Sequence, residues 1–307
     1  MTDTAVQPRP GGFALKPWIL AARPKTLAAA VAPVLVGSVI GYRMSGQFCV
    51  WLMLDTLAAC MCLQIATNFF NDALDALKGS DTHERLGPVR ITASGMMTPG
   101  AVLKMAVAVL ALATLLSVPL IWYRGWPIVA IGIPSLYFCF GYTGGPMPLA
   151  YRGLGELFVV LFFGLIAVTG SAYVQGGGWY FEALMGGLQV GALSTGLIAI
   201  NNLRDIEEDT KTGKKTLAVR FGKSFGRWEI AFLYAFATLA CLYWYTVRPQ
   251  ALWGVLIFTA VVGLLSFSLV RKVFRTEPAA VYNKYLAQAG ALLLGFSIAF
   301  SVWMTGP

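Results

Sequence analysis

Charged residues are scarce in this sequence. Lys, Arg, Asp and Glu make up 12% of its 307 residues, whereas hydrophobic residues make up 57%. A soluble domain carries about a quarter charged residues, so this composition excludes an ordinary soluble protein. A mean hydropathy of +0.69, with repeated apolar runs of about 20 residues, the length that crosses a bilayer, indicates a polytopic membrane protein instead.

The side chains that build most structural metal sites are also rare. The chain has one histidine, His83, and five cysteines, and no cysteine spacing is typical of zinc binding. The cysteines lie within or beside apolar runs, which is typical of small buried hydrophobic side chains. A metal site in this protein would therefore have oxygen ligands.

A cleavable signal peptide is not indicated at the N-terminus. The first 16 residues are polar and basic, and no short apolar core with a small-residue cleavage site follows them. We expect residues 1–17 to form a short cytoplasmic lead-in. We expect residues 18–307 to form a single transmembrane domain.

Apolar runs separated by turn-forming Gly and Pro residues predict an all-α fold. Each run is long enough to span a bilayer as a helix. We predict nine transmembrane helices, at residues 18–42, 48–76, 101–122, 127–143, 154–174, 182–203, 228–247, 251–270 and 286–305.

The basic residues are distributed unevenly among the predicted loops. Of 23 Lys and Arg residues, only Arg43, Arg124 and Arg248 lie on the side that holds the loops after helices 1, 3, 5 and 7. The positive-inside rule makes the other side, with the N-terminus, cytoplasmic. The net charge of +9 is therefore a topology signal and does not indicate nucleic-acid binding, and attraction to anionic membrane lipid or substrate adds to it.

Eight of the 14 acidic residues form two clusters, which are Asp72, Asp75, Asp81 and Glu84, and Asp205, Glu207, Glu208 and Asp209. The clusters end helices 2 and 6 on the predicted cytoplasmic side, so they can face each other across one cavity. Carboxylates near a bilayer are costly and usually functional. In each cluster an asparagine, Asn68 or Asn201, precedes the first aspartate by four residues, which suggests an internal repeat.

The aspartate spacing in both clusters is typical of a cation site. Asp72 and Asp75 are three residues apart, and Asp205 and Asp209 are four apart, so each pair lies on one helix face. Carboxylates this close repel each other unless a cation neutralises them. Oxygen ligands without His or Cys suit Mg²⁺, whose coordination substrate phosphates often complete. The four aspartates therefore predict a clamp that holds a diphosphate through Mg²⁺.

Basic residues beside both clusters complete the predicted clamp. They are placed to bind diphosphate oxygens and to stabilise a diphosphate leaving group. These residues are Lys78, Arg85, Arg90, Arg204, Lys214 and Lys215. The glutamates of the clusters are interpreted as solvated loop charges. Departure of the diphosphate from a lipid would leave an allylic cation, which the aromatic faces of Tyr142 and Tyr151 are suited to stabilise.

The same residues resemble a known family. Asn71-Asp72-x-x-Asp75 and Asn201-Asn202-Leu203-Arg204-Asp205-x-x-x-Asp209 resemble the two motifs of the intramembrane aromatic prenyltransferases of the UbiA superfamily. The likeness extends over most of the chain, and its last stretch is the most specific. The stretches that carry it are RPKTL at 23–27, NDALDALKGSD at 71–81, RLGPVR at 85–90, YTGGPMPLAYRGLGE at 142–156 and NNLRDIEEDTKTGKKTLAVRFG at 201–222.

The resemblance implies nine helices around a central cavity, Mg²⁺ dependence, a polyprenyl diphosphate donor and a place in the bacterial inner membrane. Within the superfamily it favours the branch that prenylates 1,4-dihydroxy-2-naphthoate with loss of CO₂, giving demethylmenaquinone. It places Asn68 and Asn71 at the diphosphate. Further candidates for the acceptor or the cation are Arg23, Lys25, Tyr142, Arg152 and Glu156, with Arg23 and Lys25 for the acceptor carboxylate or a diphosphate oxygen and Glu156 for acceptor deprotonation.

Two departures from the wider superfamily refine this interpretation. The first motif usually has a third aspartate where this chain has Gly79, so Asp81 is interpreted as a looser or more distant ligand. The 4-hydroxybenzoate and haem-farnesylating branches carry Lys-Arg soon after the tyrosine of the loop after helix 4. In this chain Gly144-Gly145-Pro146 follows Tyr142 instead, which favours the naphthoate branch.

Several alternatives stay open at this point. Another aromatic acceptor, such as 4-hydroxybenzoate or homogentisate, is compatible with the residues. A CDP-alcohol phosphatidyltransferase would need an Asp-Gly-x-x-Ala-Arg signature, which the sequence lacks. A transporter would use its acidic residues to couple ions, but transporter carboxylates tend to lie at the membrane midplane, and these lie at helix ends.

Overall fold

The computed structural model describes residues 15–80 and 86–306, and this part of the chain is helical, without a strand. Eight helices are long and apolar enough to span a membrane, and Trp126–Gly141 is a shorter apolar helix beside them. The nine predicted helical segments are therefore confirmed, apart from some of their ends.

Twelve α-helices succeed one another along the described chain. Their bounds are α1 Leu15–Ala22, α2 Ala28–Ser45, α3 Val50–Leu77, α4 Pro99–Arg124, α5 Trp126–Gly141, α6 Gly155–Val159, α7 Ala167–Gly176, α8 Phe181–Arg204, α9 Ile206–Lys211, α10 Leu217–Leu239, α11 Leu252–Arg275 and α12 Tyr282–Thr305. A π-helical segment, Val160–Ile166, joins α6 to α7 in one span, and a 3₁₀ segment, Ala240–Tyr245, extends α10.

The first predicted helix, at 18–42, is interrupted. Arg23 has φ 51° and ψ 69°, and it is the one non-glycine residue with positive φ in the described ranges. A 3₁₀ turn over Pro24–Thr26 follows, and α2 begins only at Ala28. The reason is Pro24, because proline has no N–H to donate and disfavours the α conformation in the residue before it. The chain therefore bends at Arg23.

The seventh predicted helix, expected to start at 228, is preceded by a helical turn that begins at Leu217, and a break at Gly222 (φ 87°, ψ 172°) separates that turn from the rest of α10. The Thr216 hydroxyl accepts a hydrogen bond from Val219 N at 3.4 Å and caps α10, which starts at Leu217. Basic residues made this stretch resemble a loop in the sequence. Long basic side chains can reach water from a helix whose other face is apolar. Their charge therefore did not show where the helical residues begin.

Glycines let the central helices approach closely. A Cβ at Gly37 or Gly41 of α2 would lie 2.3 or 2.5 Å from a backbone oxygen of α7, so only glycine fits there. Gly164 of the π-helical segment and Gly191 of α8 meet in the same way. Small residues at such contacts are typical of membrane helix packing. This packing brings the ends of α3 and α8 to the same side of the bundle, where Lys214 after α9 reaches Asp75 of α3.

Candidate active site

The end of α3 presents Asn71 and Asp75 on one face, four residues apart. Arg90 Nη2 donates to Asn71 Oδ1 at 3.0 Å and to Asp75 Oδ2 at 3.2 Å. Lys214 Nζ lies 3.3 Å from Asp75 Oδ2, and the Tyr151 hydroxyl donates to Asp75 Oδ1 at 2.8 Å. Asp75 is therefore a buried carboxylate with two cations and a phenol around it.

Asp72, the other predicted ligand of α3, has a different role. Its carboxylate accepts hydrogen bonds from the Thr92 N–H at 3.0 Å, the Ile91 N–H at 3.3 Å and the Thr92 hydroxyl. The predicted pairing of Asp72 with Asp75 at one cation is not what the structure shows. Both oxygens of Asp72 instead hold the loop that carries Arg90, because buried N–H groups of that loop require acceptors.

Asn68 also faces protein and not the clamp. Its amide nitrogen donates to the Ala22 carbonyl at 2.9 Å and to Thr26 Oγ1 at 3.1 Å. Gln64 Nε2 donates in turn to Asn68 Oδ1 at 3.3 Å. Asn68, which was predicted to bind diphosphate, thus fastens both ends of the turn on which Arg23 stands.

The charges of Arg23 and Glu156 both act on the Tyr142 hydroxyl. Burial raises the pKa of Tyr142, the Glu156 charge adds to the increase, and the Arg23 guanidinium opposes it. Glu156 is buried and its Oε1 accepts from Asn202 Nδ2 at 2.7 Å. Sequence reasoning missed Asn202, although it stands inside the NNLRD stretch and its neighbour Asn201 drew attention.

The end of α8 holds Arg204 and Asp205 in a closed pair. Arg204 Nε and Nη2 donate to the two oxygens of Asp205 at 2.7 and 2.6 Å. The same guanidinium donates to Asn283 Oδ1 at 2.7 Å and to Asn201 Oδ1 at 2.9 Å. Its side chain is 1% exposed. Arg204 was predicted to bind diphosphate. In the structure it is buried, and its guanidinium is hydrogen-bonded to Asp205, Asn283 and Asn201.

Asn283 links the two acidic helix ends and was not predicted. While its Oδ1 accepts from Arg204, its Nδ2 donates to the Leu86 carbonyl at 2.7 Å. Leu86 belongs to the loop after α3, and Asn283 belongs to the first turn of α12. No local pattern distinguishes this asparagine in the sequence, since its partners are about 80 and 200 residues away.

The side chain of Asp209 is affected by charges from both acidic clusters. Burial raises its pKa to about 7, and the charges of Asp205, Glu208 and Asp75 add to the increase, while Lys214 opposes it. Repulsion from Asp75 means that the ends of α3 and α9 are close. Within residues 15–80 and 86–306, however, no three acidic, His or Cys side chains already converge as a metal site.

Two lysines lie at the mouth between the clusters. Lys78 Nζ donates to the Thr143 carbonyl at 2.5 Å and lies 4.3 Å from the centroid of the Tyr151 ring. Lys214 Nζ lies 5.2 Å from the same centroid. Burial lowers the pKa of Lys78, Lys214 lowers it further, and Asp75 opposes the decrease. Both cations therefore stand beside Asp75, where the sequence predicted them.

Three predicted residues are not brought to this site. Lys25 is exposed in the turn after α1, and Arg152 and Lys215 are exposed on the outer side of the Tyr151 segment. Adjacent residues of the segment after α9 direct their side chains to opposite sides, so Lys214 reaches Asp75 and Lys215 is exposed. Asp81 and Arg85 lie outside the described residues.

An apolar cavity of about 170 Å³ is lined by Phe138, Phe158 and Phe162, among other residues. Phe158 stacks on Phe162 with ring centroids 4.4 Å apart, and Phe138 meets both rings edge-on at 5.3 and 5.2 Å. Tyr142 meets Phe158 at 5.4 Å. Aromatic faces of this kind stabilise a cation and accommodate an unsaturated hydrocarbon.

Comparison with known proteins is consistent with this geometry. The model of the UbiA prenyltransferase family matches residues 30–304. The chain is 34% identical to the 1,4-dihydroxy-2-naphthoate octaprenyltransferase of Haemophilus influenzae, over 94% of this chain and 95% of that one. It is also 34% identical to the protein of the same name from Mycobacterium tuberculosis, over 91% of this chain and 97% of that one.

Solved structures share the fold at low sequence identity. A UbiA homologue from Archaeoglobus fulgidus, bound to GPP and Mg²⁺, is 13% identical, with a TM-score of 0.66 over 93% of this chain and 99% of that one. An apo UbiA homologue from Aeropyrum pernix K1 is 16% identical, with a TM-score of 0.66 over 91% of this chain and 97% of that one. These likenesses concern the helical architecture.

Proposed function

Because the chain belongs to the UbiA prenyltransferase family, we propose that it transfers a polyprenyl group from a polyprenyl diphosphate to 1,4-dihydroxy-2-naphthoate. The acceptor loses CO₂, and demethylmenaquinone forms first as its quinol. The naphthoate prenyltransferases of the two bacteria support this acceptor. The observation that carries the proposal is the meeting of both acidic helix ends at Asp75, Lys214 and Asp209, in a bundle that also has a cavity lined by Phe138, Phe158 and Phe162.

The oxygen groups of the two helix ends suit Mg²⁺. They are carboxylates and carboxamides, the hard ligands that Mg²⁺ prefers. Burial raises the pKa of Asp209 and the neighbouring carboxylates add to the increase; a divalent cation would offset both effects by stabilising the charged form. Asp205 keeps some acceptor capacity, since a carboxylate has about four lone-pair sites and Arg204 uses two. The residues that would hold Mg²⁺ are Asn71, Asp75, Asn201, Asp205 and Asp209.

When bound, Mg²⁺ would supply the positive charge that makes diphosphate a better leaving group. Lys78 and Lys214 bind diphosphate oxygens at the mouth. Arg90 holds Asn71 and Asp75 in place through its guanidinium. The aromatic walls at Phe138, Phe158 and Phe162 exclude water from the allylic cation, which would otherwise be hydrolysed.

The acceptor is proposed to lie between the allylic carbon and Tyr142. Arg23 binds the acceptor carboxylate, and Glu156 takes up a phenolic proton while Asn202 holds its other face. The ring carbon that carries the carboxylate forms the new bond to the prenyl carbon as diphosphate departs. CO₂ then leaves, the electron pair of the broken carbon–carbon bond restores the aromatic ring, and Glu156 returns its proton to the ring oxygen, which gives the quinol.

The acceptor is tested with purified protein in detergent, farnesyl diphosphate and a panel of three acceptors. We expect 1,4-dihydroxy-2-naphthoate to be prenylated with one CO₂ released per turnover, and only in the presence of Mg²⁺. Prenylation of 4-hydroxybenzoate with the carboxylate retained, or of homogentisate in preference, would show that the naphthoate assignment is wrong.

We propose the orientation of the protein in the membrane from the side on which this site lies. The clamp side carries most of the Lys and Arg residues, so it faces the cytoplasm of the bacterial cell by the positive-inside rule. A membrane-impermeant thiol reagent would test this in intact cells. A cysteine introduced at Lys215 should be protected from the reagent, and one introduced at Trp179, between α7 and α8 on the opposite side, should react.

A further inference from the structure

An open bowl lies on the clamp side, outside the catalytic cavity. It has a volume of about 630 Å³. Three basic residues, Arg152, Lys215 and Arg220, stand around it, and Leu154 and Pro148 complete its wall. Two of these cations are predicted substrate ligands that the active site does not use. The bowl shares one side chain with the active site, Tyr151.

The bowl is built on a closed backbone framework. Arg220 Nη2 donates to the Arg152 carbonyl at 2.6 Å, and its Nε donates to the Lys215 carbonyl at 3.1 Å. The Lys215 N–H donates to the Tyr151 carbonyl at 3.2 Å. Gly153, at φ 67°, passes so close that a Cβ would lie 2.5 Å from the Lys215 oxygen. The three cations are therefore held near one another by the fold.

The charges of the bowl have no acidic counterpart. In the part of the chain that the structure describes, no carboxylate forms an ion pair with Arg152, Lys215 or Arg220. By contrast, Lys223 and Arg227 farther along α10 pair with Glu277. Three neighbouring positive charges repel one another, so the bowl favours an anionic ligand.

Two apolar outer faces begin at this bowl. On α10, after the break at Gly222, a stripe of exposed aromatic residues at helical spacing is formed by Phe225, Trp228 and Phe232. On α6 and the segment after it, Leu154, Leu157 and Leu161 are exposed. Side chains this large and apolar face acyl chains in a membrane protein. The bowl therefore stands where the hydrocarbon region meets the headgroups.

We propose that the bowl binds the headgroup of an anionic phospholipid, whose acyl chains lie along the outer faces of α6 and α10. Such a lipid satisfies the cations and covers the apolar stripes at the same time, which a soluble phosphate cannot do. Basic pockets at the cytoplasmic ends of membrane helices are suited to anionic lipids. Arg152 and Arg220 supply planar guanidinium groups that bind phosphate oxygens in pairs.

Native mass spectrometry of the purified full-length chain tests this proposal. Phosphatidylglycerol and phosphatidylcholine with identical acyl chains are titrated separately, and inorganic diphosphate forms a third arm. We expect phosphatidylglycerol to bind about tenfold more tightly than phosphatidylcholine. In the Arg152→Gln/Lys215→Gln double variant this preference should fall at least severalfold, since each juxtamembrane cation contributes to anionic-lipid binding.

The matched control is Arg271→Gln/Arg275→Gln, which removes two exposed cations at the end of α11 on the same side. It should keep the preference for phosphatidylglycerol. Equal losses in both double variants would mean attraction to net charge and would overturn the proposal. Diphosphate binding that is lost in Arg152→Gln/Lys215→Gln, with lipid binding unchanged, would reassign the bowl to a soluble anion and would also overturn it.

Discussion

The ends of α3 and α8 carry the same short pattern and hold their carboxylates in different ways. Each has an asparagine followed four residues later by an aspartate, Asn71 with Asp75 and Asn201 with Asp205. Asp75 receives its cations from distant segments, through Arg90 and Lys214. Asp205 receives its cation from the adjacent Arg204. The first helix end is therefore assembled by tertiary structure, whereas the second is satisfied locally.

The same comparison changes which residues of α3 are comparable to Asn201 and Asp205. The sequence suggested that Asn68 and Asp72 correspond to Asn201 and Asp205. In the structure Asn71 and Asp75 face the clamp, and Asn68 and Asp72 each bind backbone of another segment. By their surroundings, Asn71 and Asp75 are the pair of α3 that is comparable to Asn201 and Asp205, because one guanidinium donates to both members of each pair.

The largest expected effect follows from removing the carboxylate of Asp75, which both Arg90 and Lys214 contact. Asp75→Asn should lower kcat by about 100-fold or more, because the variant loses a Mg²⁺ ligand and leaves Arg90 and Lys214 without their counter-charge. Initial rates with saturating farnesyl diphosphate and dihydroxynaphthoate measure this. Glu207→Gln, at an exposed acid of the second cluster, is the control and should stay near wild type. Activity within a few-fold of wild type in Asp75→Asn would contradict the clamp.

Breaking the Arg204–Asp205 pair at the end of α8 should mainly lower the stability of the protein. Arg204→Gln breaks a buried pair and leaves Asp205 uncompensated, which typically costs about 3–5 kcal/mol. Thermal unfolding of the purified protein in detergent should show a lower transition temperature. Arg227→Gln, whose partner is an exposed glutamate, should shift the transition little. A kinetic defect at unchanged stability in Arg204→Gln would instead support a direct contact with diphosphate.

Asp72 offers a sharper contrast with Asp75 on the same helix. Asp72→Ala removes the acceptor of the Ile91 and Thr92 N–H groups, at a cost of about 1–3 kcal/mol for each donor left without a partner. Faster amide hydrogen exchange at Ile91 and Thr92 is the expected signature. The Mg²⁺ concentration for half-maximal rate should change far less than in Asp75→Asn. An equal change in both variants would restore Asp72 as a metal ligand.

The smallest effect concerns pH. The pKa of Asp209, ordinarily 3.8, is raised to about 7 by burial and by neighbouring acids, so the protonated form competes with metal below that pH. The Mg²⁺ concentration for half-maximal rate should therefore rise as pH falls from 8 to 6, by up to about tenfold per unit below 7. A requirement for Mg²⁺ that does not vary across this range would exclude Asp209 as a ligand.

Most of the helical fold was predictable because apolar length and Gly/Pro punctuation are local properties. The prediction failed at the first and seventh helices. At Arg23–Pro24 a backbone bend interrupts an apolar run, and at Leu217–Gly222 a helical turn and a break precede the expected start of the seventh helix. Among the site residues, Asp75, Lys78 and Lys214 were predicted and do meet. Asn202 and Asn283 were missed, since their partners are far away in the chain.

Composition and residue spacing alone establish the membrane class, the nine apolar helical segments and the two acidic helix ends, because both can be read from neighbouring residues. The packing of the helices settles which side chain of each basic or acidic pair faces the proposed clamp. Lys214 turns inward and Lys215 outward, and Asp75 meets cations while Asp72 holds a loop. Side-chain direction depends on which donors and acceptors the packed helices bring near, and no short sequence window contains that information.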